Sequence, residues 1–180
     1  MGRQYLGRDQ KLIYRRTQMA VLTYSARASL AKYILSRQLF LAIGTGSPDW
    51  GEIPDSPDYA ATGLVNEIGR KKITRAFFVK EDENGEIDMP GGRRYSYSES
   101  QTRQIYLQFM FDFGEGLSSS IREVGVFMDS VPKSGLPETQ TYFTPEEIQE
   151  QGTLILIENL ETPDTFTPNK KGSYGTILTL

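Results

Sequence analysis

Two short phrases carry the side chains best suited to chemistry. Leu64-Val-Asn-Glu-Ile-Gly-Arg70 sets Glu67 three residues before Arg70, and Ile121-Arg-Glu-Val-Gly-Val-Phe127 sets Arg122 beside Glu123. Glu67 and Glu123 facing each other across a cleft could divide the acid and base work of glycoside hydrolysis. The same residues, half-buried and paired, would instead be polar pins fixing one sheet against another, each guanidinium fork binding a carboxylate through two hydrogen bonds. Trp50 is the only tryptophan, and no aromatic-rich sugar groove accompanies the glutamates, so the structural reading is preferred. It makes Glu67, Arg70, Arg122 and Glu123 a polar lock, cross-paired as Glu67–Arg122 or Glu123–Arg70 and buried away from any open cleft.

The chain has neither histidine nor cysteine. That removes histidine triads, cysteine nucleophiles, the usual zinc and iron sites, and every disulfide. No catalytic, cofactor-binding or metal-binding residue is assigned, and a non-enzymatic role is expected. Ile43-Gly44-Thr-Gly46 invites a phosphate-binding reading, but the third glycine of the dinucleotide fingerprint is missing and Pro48 stands where a helix would begin. Gly44, Gly46 and, in the later phrase, Gly125 are read as tight turns. Gly69-Arg-Lys-Lys72 lacks the upstream glycine of a P-loop.

The elements that must position these residues follow from periodicity. Residues 1–16 show no apolar period and read as an extended arm. Met19, Leu22, Ala26, Leu30, Tyr33 and Ile34 recur at helical spacing and predict one amphipathic helix over about residues 18–37. Residues 38–43 read as a buried strand ending at Gly44, followed by a long Pro-, Gly- and Asp-rich loop to about Ala61. Lys72–Val79 reads as a strand, and Asn84-Gly85 as a tight hairpin turn with positive φ. Pro90–Ser98 reads as a polar loop. Ile105, Leu107, Phe109, Phe111 and Phe113 alternate with Tyr106, Gln108, Met110 and Asp112, the pattern of a half-buried strand.

Ile121–Met128 is a further strand. Thr144-Pro-Glu-Glu147 is a capping box that starts a helix of about two turns closed by Gly152. Thr153–Glu158 and Tyr174–Leu180 complete six to eight strands. The expected fold is mainly β, an antiparallel β-sandwich-like body over residues 38–180, preceded over residues 1–37 by the basic arm and helix.

The charge is asymmetric. Residues 1–40 hold eight Lys or Arg against the single acid Asp9, a net +7, whereas the other 140 residues hold 12 basic and 22 acidic side chains, a net −10. A basic arm can bind nucleic acid, but docking on an acidic protein surface, including the body of another copy, is preferred. Arg3, Arg8, Lys11, Arg15 and Arg16 are therefore candidate interface residues, together with Trp50 and the loop residues Arg93, Arg94, Tyr95 and Tyr97, because interfaces favour Arg and aromatic side chains. No apolar run reaches the roughly 20 residues of a membrane span, and no secretory signal opens the chain, so a soluble product made in a cytoplasm is expected.

Taken in order, Ala42–Gly46, Leu64–Arg70 and Ile121–Phe127 resemble the AIGTG, LxNExxR and IREIGLF phrases of the baseplate-attachment domains of bacteriophage tail-fibre and tail-collar fibre proteins. The resemblance covers about residues 18–128. It implies a structural component of the virion tail, assembled in the host cytoplasm, whose partners are other tail, baseplate or neck proteins and further copies of itself. Familiar fibres continue into long shafts whereas this sequence stops at Leu180, which points to an adaptor. The alternative is a carbohydrate-binding module that recognises host surface glycans through Trp50, Tyr95 and Tyr97.

Overall fold

The computed structural model describes residues 20–115, 120–165 and 171–180. The basic arm, with Arg3, Arg8, Lys11, Arg15 and Arg16, lies outside the described residues. The protein is mainly β, with antiparallel sheets and one α-helix. No helix among the described residues is long and apolar enough to cross a membrane.

Thr23 begins helix α1 (Tyr24–Leu35), its side chain accepting the Ala26 N–H at 3.3 Å. The helix is shorter than its apolar period predicts, and it lies on a different face. Ala28 and Ala31 are buried, whereas Leu22, Leu30 and Tyr33 are 48%, 46% and 52% exposed. Alanine lets the helix approach β6 closely, so Ala28 and Ala31 point inward with Ile34 and Leu35 packed beside them, while Leu22, Leu30 and Tyr33 point out.

The strands are β1 (Leu39–Gly44), β2 (Glu67–Lys72), β3 (Arg75–Glu81), β4 (Ile87–Met89), β5 (Arg93–Tyr97) and β6 (Gln104–Phe111), then β7 (Ser120–Met128), β8 (Val131–Pro132), β9 (Tyr142–Phe143), β10 (Ile148–Glu150), β11 (Thr153–Thr165) and β12 (Gly172–Thr179). One sheet runs β11-β7-β1-β2-β9 and the other β12-β6-β3-β5-β4, with β8 and β10 forming a small separate ladder. The count exceeds six to eight because β4, β8, β9 and β10 have only two or three residues. Segments that short show no period.

The inner faces of both sheets share one core. Leu39, Leu41 and Ile43 of β1 and Ile121, Val124 and Val126 of β7 meet Ile105, Leu107, Phe109 and Phe111 of β6. The β6 alternation holds for these four residues and fails at Phe113, which is 61% exposed. The strand has ended there, and the chain turns at Gly114 with φ 87°.

Two local expectations are corrected. Asn84-Gly85 takes no positive φ; the Asp82 side chain accepts the Asn84 N–H and the Asp82 carbonyl accepts the Gly85 N–H. Glycine is needed at 85 for space, because a Cβ would lie 2.3 Å from the Tyr95 backbone. Strand β3 then pairs with β5 rather than directly with β4.

The capping box at Thr144 forms, but it starts only a single 3-10 turn, Pro145–Glu147. Ile148 turns extended and pairs with Pro132, so strand pairing ends the helix. The Thr144 N–H, and next the Gln140 side chain, hold the Glu147 carboxyl below its ordinary range. A lowered folded-state value adds stability above the unfolded value and loses it as pH falls through the folded one. Acid unfolding should therefore be less steep in Glu147→Gln than in the parent, as followed by circular dichroism from neutral pH downward.

Candidate functional site

The three phrases converge on the outer face of the β1-containing sheet. Gly44 lies opposite Glu123 in the β1–β7 ladder and opposite Glu67 in the β1–β2 ladder. Glu123, fully buried, accepts hydrogen bonds from three backbone amides: Asn66 at 2.7 Å, Val65 at 2.9 Å and Gly46 at 3.2 Å. Its carboxylate thus ties both ends of the residue 45–66 loop to β7. Thr45 and Asn66 close the same loop directly, the Asn66 amide donating to Thr45 Oγ1 at 2.6 Å and the Thr45 N–H to the Asn66 carbonyl at 3.0 Å.

The glycines make room for this arrangement. A Cβ on Gly44 would sit 2.5 Å from Glu123 Oε1, and one on Gly46 would overlap the Trp50 ring. Of the three expected turn glycines, only Gly46 has positive φ, at 70°. Gly44 ends a strand, and Gly125 lies in the middle of β7 rather than in a turn. There Leu64 and Leu154 pack over the bare backbone, and an added Cβ would be 2.9 Å from Leu154 and 3.0 Å from Leu64. Gly125→Ala should cost about 1–3 kcal/mol through overpacking, measured by urea unfolding.

Arg122 holds the middle of the loop. Its guanidinium donates to the carbonyls of Gly51 at 2.6 Å, Trp50 at 3.2 Å and Glu52 at 3.3 Å, and stands 5.8 Å from the Trp50 ring centre. Arg70 holds a different segment. It is 2% exposed, binds Glu67 with two bonds of 2.6 and 2.9 Å, and donates to Ser130 Oγ at 2.7 Å and the Gln151 carbonyl at 2.6 Å. Its guanidinium also stacks 3.7 Å over Phe127.

Neither expected cross-pair forms. Arg70 binds Glu67 on its own strand, while Glu123 and Arg122 bind backbone. Residues three apart on a regular strand face opposite sides. A register shift beside Gly44 sets an extra β2 residue against β1, and a bulge of this kind returns Glu67 to the Arg70 face. The four charged residues fasten loops onto one sheet instead of joining two sheets.

Other placements depart from the expected interface. Tyr95 and Tyr97 lie on strand β5, not in a loop, and Tyr95 is only 4% exposed. Tyr97 is 54% exposed and packs edge-on against Phe77, and Arg93 and Arg94 are exposed. Trp50 is half-buried over Gly46 beside the other sheet, so Trp50 and the β5 tyrosines belong to different surfaces.

Sequence reasoning missed two fasteners. Lys71, 3% exposed, donates to Glu115 at 2.6 Å and Thr141 at 2.9 Å. Arg37 binds Asp129 at 2.7 and 2.9 Å, and this bond holds the guanidinium above its ordinary value. Asp129 has φ 62°, rare for a non-glycine residue. The signal available for Asp129 was its place between a strand and Ser130-Val-Pro132; nothing in the sequence marked Lys71.

No group of three or more acidic side chains among the described residues is arranged to hold a metal ion. Comparison with curated proteins gives no match. A family model described as "Baseplate wedge 3 tail fiber network component" matches residues 19–180, which bears out the kinship with phage tail-fibre and baseplate proteins and carries it past residue 128. With its buried charges fastening backbone to sheet, this chain belongs to the baseplate wedge 3 tail fibre network component family, structural proteins of the phage tail.

Proposed function

We propose that the chain is a non-enzymatic adaptor that works by geometry, its body a rigid block and its arm and helix docking on adjacent subunits. The observation that carries this reading is the engagement of Glu123 and Arg70. Both are sealed from solvent, and their hydrogen bonds are spent on the chain's own amides, carbonyls and side chains. A glycosidase pair would need carboxyls facing a substrate.

The helix supports the docking half of the proposal. Tyr24, Leu30 and Tyr33 on α1, with Val21 and Leu22 before it, present apolar surface while the alanine face holds the helix to the body. The +7 head and −10 body favour head-to-tail contact between copies, which closes into rings when the rotation allows. Protein surfaces in the virion tail, rather than nucleic acid, are the partners this charge split fits. Burial of Tyr95 and the separation of Trp50 from β5 leave the glycan-binding alternative with less support.

Sedimentation of the purified protein at low and high salt tests the mechanism. Association should weaken as salt rises and on deletion of residues 1–16. An oligomeric state indifferent to both would sink the head-to-tail mechanism, and saturable glycan binding abolished by Trp50→Ala would install the alternative.

A further inference from the structure

Four strands end the two sheets, and three of them are ill-suited to pairing with another chain. Strands β9 and β4 have two and three residues. Strand β11 is long, but it breaks register twice against β7 and carries Glu158, Glu161, Pro163 and Asp164. Short length, irregular register, charge and proline are the devices that keep exposed edges from joining. Strand β12 has none of them. Residues 172–179 contain no charge and no proline, and they pair with β6 through eight consecutive positions without a shift.

Among the described residues only β6 pairs with β12, and the other side of the strand can be assigned residue by residue. The Leu180 N–H donates to the Arg103 carbonyl at 3.0 Å, so Leu180 directs its backbone groups toward the β6 side. In an antiparallel ladder this alternates, so Gly172, Tyr174, Thr176 and Leu178 also face β6. Ser173, Gly175, Ile177 and Thr179 then direct their N–H and C=O groups away from the sheet. The nearest hairpin on that side does not pair with β12. Met89, Pro90 and Arg93 stand across a cleft of about 290 Å³ from Tyr174–Ile177.

We propose that β12 is a homotypic docking edge, joining two copies of this chain by antiparallel β12–β12 pairing about a two-fold axis. A second copy suits this edge because identical strands place identical charges near one another, and an uncharged strand escapes that penalty. A two-fold axis normal to the sheet places one residue opposite its own copy. Centring it on Thr176 sets Ser173 opposite Thr179 and Gly175 opposite Ile177 of the second copy, which uses all four outward residues. The two β6-containing sheets become one continuous sheet.

This inference rests on the reading that the chain assembles through protein contacts, but it is separable from the charge-driven arm. Pairing of uncharged strands survives high salt, whereas head-to-tail association does not.

The register gives a test that a folding defect cannot imitate. Ser173 and Thr179 are both exposed on the outer face, so S173K/T179K leaves the monomer intact while setting lysine against lysine twice across the axis. S173K/T179E sets lysine against glutamate at the same places. Sedimentation equilibrium of the full chain should show a parent dimer that persists at high salt, and at low salt, where the introduced charges are unscreened, at least tenfold weaker association for S173K/T179K with recovery toward the parent for S173K/T179E. A parent that is monomeric at high salt overturns the proposal while leaving the arm mechanism standing. Equal association of S173K/T179K and the parent, or equal weakness of the two variants, overturns it as well.

Discussion

Glu123→Gln should lower the unfolding free energy by about 3 kcal/mol and free the loop before the body unfolds. The carboxylate accepts three backbone N–H bonds with no solvent access. An amide keeps one acceptor oxygen and turns an NH2 toward donors, so at least one amide is left facing another donor. A buried unsatisfied group costs about 1–3 kcal/mol, and the loss of charge-assisted bonds adds to it. Trp50, the single tryptophan, lies in this loop and reports its release. Its emission should shift to longer wavelength at denaturant concentrations where the far-ultraviolet signal is still native. The exposed Glu83 serves as control, and Glu83→Gln should stay within about 0.5 kcal/mol of the parent. Coincident tryptophan and backbone transitions in Glu123→Gln, at the parent's midpoint, would refute the fastening role.

Arg70→Met should be the second large loss, about 3–5 kcal/mol, because it leaves Glu67 without its partner in a nearly closed site. The Glu67 side chain is 13% exposed and Arg70 2%. Removing both charges together is different: Arg70→Met with Glu67→Gln should recover much of the loss, since methionine can still cover Phe127. The recovery measures the coupling between the two residues, and additive effects would show that the pair contributes nothing as a pair. Arg70→Lys should rescue poorly, because a single ammonium cannot keep the fork to Glu67 together with the Ser130 and Gln151 bonds.

How much of this was legible depends on the range of the determinant. The β6 strand announced itself because four core residues alternate without interruption, and nothing nearby competes with that period. The three phrases could be recognised and ordered, and burial of Arg70 and Glu123 followed from charges set among apolar neighbours. Their partners did not follow, because a one-residue register shift decides which face Glu67 occupies. Gly125 looked like a turn because glycine usually marks one, whereas its requirement comes from Leu64 and Leu154, far away in the chain. The helix was legible and its buried face only in part: Ile34 of the apolar stripe packs on the core, but close packing selected Ala28 and Ala31 while Leu22, Leu30 and Tyr33 stayed exposed.

The loop between Gly46 and Val65 is held almost wholly through main-chain atoms. Glu123 reads the amides at its two ends, Arg122 reads the carbonyls of residues 50–52, and Asn159 donates to the Asp55 carbonyl at 2.8 Å. Every peptide unit offers those atoms whatever side chain it bears. Side chains between residues 55 and 62 can then change while the fastening stays the same. The chain separates a constant frame from an exchangeable segment, so substitutions in that segment carry little cost in folding.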